Sequence, residues 1–203
     1  MEQRIIGIDP GSESSGMVVI DGSNIVGAWN LVNSHQFYDK VTNFSIHNNL
    51  IVVIEDIKPY SLKLMPQVID TCKFIGEAVY RLKTHSGLNV VMVDRYTVKR
   101  WVFDTFPDVC LPLIDARIEK KMYDACDVKT KEMIRINDKG MTKRKPSFVY
   151  VNDKIVMECM KYLYKIPLPP VGKGYKFGLQ SHSFQALAVA SCFIHNHPPS
   201  TLF

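Results

Sequence analysis

A mixed α/β fold on a five-stranded sheet is what this chain predicts, and three observations predict it. Early on it carries three short apolar runs separated by tight turns, which reads as antiparallel strands. Further apolar runs then alternate with stretches of helical periodicity, which reads as parallel strands joined by helices. The chain closes on an Ala-rich segment of helical spacing. Its 203 residues suit a single domain, 1–203, long enough to bury a core without staples.

The elements follow in order. Residues 4–8, 16–20 and 24–31 are rich in Ile and Val, and Asp21-Gly22 before Ser23 marks a hairpin between the second and third. The polar stretch 33–49 has room for a short helix. "LIVVIE" at 50–55 makes a fourth strand, apolar almost throughout, as a strand buried on both faces is. Over 66–85, Val68, Ile69, Cys72, Ile75, Gly76, Val79 and Leu82 recur at helical spacing, and "NVVMVD" at 89–94 is the fifth strand. Tyr96 to Phe103 reads as a short helix stopping before Pro107. Residues 104–147 are the least regular, an irregular basic insertion with a helix around 114–125 and then "NDKGMTKRKPS". Two helical patterns, 149–164 and 181–195, finish the chain, separated by the linker "IPLPPVGKGYKFGLQ".

Bulk properties narrow the class. With 46% hydrophobic and 22% charged residues the chain is neither disordered nor fibrous. No apolar stretch approaches the roughly 20 residues of a membrane span. Met1 leads straight into a strand, leaving no room for a secretory signal, so the expected compartment is the cytoplasm. Five cysteines, Cys72, Cys110, Cys126, Cys159 and Cys192, are odd in number and never in a CxxC pair, as free buried thiols would be. The net charge of +5 is uneven: 117–176 holds 15 Lys and Arg against 7 Asp and Glu. That bias suits a polyanionic partner, although solvated lysines on ordinary helices produce much of it.

Two carboxylates stand out. Asp9 closes the first strand before Pro10 and Gly11, which suit a tight reversal, and Gly16 is read as supplying backbone angles closed to other residues. Glu55 closes the fourth strand. If those strands are parallel neighbours, both side chains emerge at one sheet edge, where paired carboxylates hold a hard divalent ion. Either one alone is equally at home as a turn former or a solvated strand end. Asp56, adjacent to Glu55, should point the other way.

The motifs in sequence resemble a known family. "IIGIDPGSESSG" is similar to the first motif of RuvC-type Holliday-junction resolvases, within the ribonuclease H-like superfamily. "VVIED" resembles that family's fourth strand with its Glu, the helix with Gly76 followed by "VVMVDRYTVKRWV" its next helix, strand and Val-Lys segment, and "SHSFQALAVA" at 181–190 its last helix. The resemblance implies a ribonuclease H-like fold, Asp9 and Glu55 as metal ligands, and His182 as the third. It implies two Mg²⁺ or Mn²⁺ ions and hydrolysis of phosphodiester bonds in branched DNA such as four-way junctions. It also implies a two-fold dimer, since two symmetric nicks need two sites.

Gln185 departs from the pattern, standing among the catalytic positions where the family has its last Asp. A neutral amide adds no charge, which leaves weaker or substrate-dependent metal binding, a preference for Mn²⁺, or lost catalysis. His182, three residues earlier, shares its helix face. Lys139, Lys143, Arg144 and Lys145 are the expected grip on DNA phosphates, though they also suit a plain exposed loop. Phe148, Tyr150 and Tyr175 fit core packing better than base stacking, and "HNH" at 195–197 is a coincidence of letters. Two rivals remain. An actin-like or sugar-kinase ATPase needs two such halves and a longer chain than these 203 residues. A DNA binder that has lost its metal site draws support from Gln185.

Overall fold

Alternating apolar residues fold into one sheet whose order, β3-β2-β1-β4-β5, is seen in a computed structural model describing residues 3–44, 49–57, 65–125, 147–167 and 178–197. β1 (Arg4–Asp9), β2 (Ser14–Asp21) and β3 (Asn24–Asn33) are antiparallel, while β4 (Leu50–Asp56) and β5 (Asn89–Asp94) run parallel to β1. The hairpin between β2 and β3 turns at Gly22, whose φ of 58° needs the freedom glycine has. β1 and β4, at the centre, are almost entirely buried, which is why "LIVVIE" carries no alternation.

Helices cover both faces. α1 (Ser34–Phe44) and α2 (Pro66–Thr84) lie on one, where Phe37, Val41, Ile75, Ala78 and Leu82 pack against Ile6, Ile8, Val52 and Ile54. On the other lie α3 (Arg95–Thr105), α4 (Pro107–Ala125), α5 (Asp153–Leu163) and α6 (Ser181–Asn196), packed on Ile5, Val18, Ile51 and Val53. Among the described residues no helix is long and apolar enough to cross a membrane.

Three expectations need correction. The stretch after residue 104 is more regular than its sequence suggests. α4 starts at Pro107, which suits a first helical position, and buries Cys110 and Ile114 one turn apart. Residues 148–150 form a 3-10 turn, and α5 begins only after Asn152, whose side chain accepts from Ile155 N at 3.0 Å. Cys72 is exposed, whereas Cys110, Cys159 and Cys192 are buried free thiols as expected. Cys126 lies outside the described residues.

Candidate functional site

Side-chain alternation decides which face the carboxylates take. Ile8 and Ile54 point toward α1 and α2, so Asp9 and Glu55 turn to the α6 face. Ile8 stands opposite Ile54 in the parallel β1–β4 ladder, which puts the two acids side by side at the ends of adjacent strands. Both are buried, Asp9 at 7% and Glu55 at 3% exposure. Asp56 does point away, into a groove lined by Cys72, Ile75 and Val79 of α2.

α6 lies against this end because the strands beneath it carry glycines, Gly7 and Gly16, where a side chain would stand in its way. A Cβ on Gly7 would meet the carbonyl of Ala186 and lie 2.8 Å from the Cβ of Ala190; one on Gly16 would meet the carbonyl of His182 and lie 2.8 Å from its Cβ. Gly16 is opposite Asp9 in the β1–β2 ladder, so close approach there sets His182 over Asp9. The role first read for Gly16 is thereby corrected. Among the described glycines only Gly22, Gly87 and Gly178 have positive φ, and Gly16 serves proximity rather than an unusual turn. Asn30 on β3 caps the helix, its Oδ1 accepting from His182 N at 2.9 Å and Ser183 N at 3.4 Å.

The site is ringed by charge. His182 Nδ1 sits 2.9 Å from Asp9 Oδ2, a hydrogen bond that raises the imidazole pKa above its ordinary value against the pull of partial burial. Burial pushes the Glu55 carboxyl up to about 7; the Arg95 guanidinium opposes that rise, while Asp9 and Asp153 add to it. Glu55 Oε2 accepts no hydrogen bond from the described residues. Its ion-pair partner is Arg95, whose Nη1 stands 3.5 Å away while Nη2 reaches Asp153 Oδ1 at 3.1 Å. Lys99, one turn further along α3, has its pKa lowered by burial first and by Arg95 next.

Gln185 closes the ring from α6. It is buried, and its Nε2 donates to the Asp153 carbonyl at 3.1 Å. Asp9, Glu55, His182 and Gln185 are therefore all brought to one end of the sheet. Lys139, Lys143, Arg144 and Lys145 lie outside the described residues, as does Tyr175. Tyr150 packs against the core, and Phe148 meets Tyr96 edge-on with the Arg100 guanidinium 4.8 Å over its ring. His195 and His197 pack beside Trp101 and Phe193 at the far end of α6.

Arg95, Lys99, Asp153 and Asn30 escaped sequence reading. For Arg95 and Lys99 the signal was present: they follow directly from β5, which the parallel order places next to β4. Asn152-Asp153 was readable as a helix start. Nothing in the sequence ties Asn30 to α6.

The donors suit a hard divalent ion, two carboxylates and an imidazole, and the buried Glu55 Oε2 lacks a hydrogen-bond donor. Among the described residues, however, no three His, Cys, Asp or Glu side chains converge on one point as they stand. Protein groups take that place instead, the His182 ring against Asp9 and the Arg95 guanidinium against Glu55.

This sheet order with helices on both faces defines a ribonuclease H-like fold. Among solved structures, the Thermus thermophilus RuvC in complex with a Holliday junction substrate aligns with a TM-score of 0.54 at 12% identity, covering 96% of each chain. A further Thermus thermophilus RuvC structure aligns at 0.49 and 13% over the same share. At 12% identity the likeness to the junction-bound structure shows the fold and nothing finer. No family model and no curated protein matches the sequence.

Proposed function

We propose that this chain is a metal-dependent endonuclease acting on branched DNA such as four-way junctions. The observation that carries the reading is the pairing of Asp9 and Glu55, two buried acids ending adjacent parallel strands, with His182 against one of them. Burying two neighbouring carboxylates is costly unless cations compensate; Arg95 stands 3.5 Å from Glu55 Oε2 with no hydrogen bond between them, so the protein's own groups meet that cost only in part. Asp9, Glu55 and His182 would hold Mg²⁺ or Mn²⁺, two ions by the resemblance. Bound there, such ions activate water and steady the leaving 3′-oxygen of a phosphodiester.

The chain's own groups have defined tasks. Asp9 and Glu55 supply negative charge at fixed positions, because backbone pairing holds Asp9 against Gly16 of β2 and Glu55 against Val93 of β5. Arg95 and Lys99 offer positive charge to a DNA phosphate from the first turns of α3, and His182 is held by the Asn30 cap. The RuvC neighbour bound to a Holliday junction supports branched DNA as the partner class, and two symmetric cuts would require a two-fold dimer. A second reading, branched-DNA binding without cutting, is favoured by the Gln185 amide already satisfied by the Asp153 carbonyl.

Incubation with labelled four-way junction and linear duplex in Mg²⁺ and in Mn²⁺ separates the two. Nicking of the junction in preference to the duplex, abolished by chelator, is the expected result. Binding without nicking in either metal would leave the second reading.

A further inference from the structure

Position 185 lacks a charge that a two-ion site needs, and the ring of contacts around it suggests where that charge has gone. Gln185 does not float in the site. Its amide holds the backbone of Asp153, the first residue of α5, at 3.1 Å. The Asp153 carboxylate, 63% exposed and so able to swing, meets the Arg95 guanidinium at 3.1 Å, and the same guanidinium stands 3.5 Å from the buried Glu55 Oε2. One planar cation thus bridges two carboxylates from β4 and α5. Glu55 Oε2 accepts no hydrogen bond from the described residues and faces that cation at 3.5 Å.

We infer that Glu55 and Asp153 define a second divalent-cation place, that Asp153 supplies the carboxylate missing at Gln185, and that the Arg95 guanidinium fills the place until an ion displaces it. The inference rests on the metal-dependent reading above. Arg95 is suited to the exchange because it is half-exposed, with 36% of its side chain open to solvent, and joined to Glu55 by charge alone. A guanidinium cannot lose its proton at ordinary pH, so it leaves only by moving aside, where it becomes available to a phosphate oxygen. Gln185 acts as a positioning residue, tying α6 to the start of α5 so that His182 and Asp153 flank one site.

The test is isothermal titration of Mn²⁺ into the chelator-stripped chain without DNA, with circular dichroism as the folding control. Removing a charge about 4 Å from an ion is worth roughly tenfold in affinity at partly exposed sites. Arg95→Met should therefore tighten Mn²⁺ binding by about that factor, while Arg95→Lys, which keeps the charge, stays near the wild type. Asp153→Asn should weaken binding by roughly tenfold or more. If the wild type binds Mn²⁺ and Asp9→Asn impairs it, yet Arg95→Met and Asp153→Asn titrate like the wild type, the second place is refuted and the metal-dependent reading stands. If the wild type binds no Mn²⁺, that reading fails and takes this one with it.

Discussion

Glu55 shows how one residue couples the site to stability. Its burial raises the carboxyl from an ordinary 4.5 to about 7, so the native state holds a proton the unfolded chain releases. The associated stability is present in full below pH 4.5 and is lost as pH rises through about 7. His182 acts in the same direction, since its pKa is also raised, by Asp9. Urea unfolding of chelator-treated protein should thus give a lower midpoint at pH 8 than at pH 5, with Glu55 responsible for up to about 3 kcal/mol of the difference. Glu55→Gln should flatten most of that slope. An equal slope in the variant would mean that the Glu55 carboxyl is not perturbed. Asp9 and Glu55 were legible in the sequence because each ends an apolar run, whereas Arg95 and Asp153 matter through a pairing between residues 58 apart, which no local pattern records.

α6 is the element on which the site depends. It approaches β1 and β2 closely enough only because Gly7 and Gly16 lie beneath it, and it is capped from β3 by Asn30. Gly16→Ala should destabilise the fold by about 1–3 kcal/mol through overpacking and push His182 off Asp9. Asn30→Ala should cost about 1 kcal/mol and loosen the same turn. Both are measured by denaturant midpoints, and in both variants the His182 imidazole should titrate closer to its ordinary value by NMR. Unshifted titration would mean that another contact holds it. The strands and α2 were readable from periodicity, and "SHSFQALAVA" from its small residues. α4 was read too short, since Pro112 lies inside it and a proline normally ends a helix pattern. The close approach over Gly16 was misread as turn chemistry, because sequence alone does not separate a glycine needed for its angles from one needed for its missing Cβ.

Across the whole molecule, the sheet order makes the site possible. Only when β1 lies between β2 and β4 do Gly16, Asp9 and Glu55 form one row, with β5 delivering Arg95 and Lys99 at its end. Three antiparallel runs followed by two strand-helix units were legible, because parallel strands need crossover helices, whereas β1 beside β4 entered the sequence reading only as a condition for pairing the acids. The basic surplus of 117–176 falls largely on residues outside the described ones, so the phosphate-gripping role of Lys139, Lys143, Arg144 and Lys145 stays a proposal from sequence. The central claim is that the Asp9 row holds the ions that cut a phosphodiester. It is tested most directly by four-way junction cleavage in Mn²⁺ with Asp9→Asn beside the wild type, junction binding being followed in parallel without metal. Cutting by the wild type alone, with junction binding retained by both, is the expected outcome; equal cutting by the variant would show that Asp9 holds no ion the reaction needs.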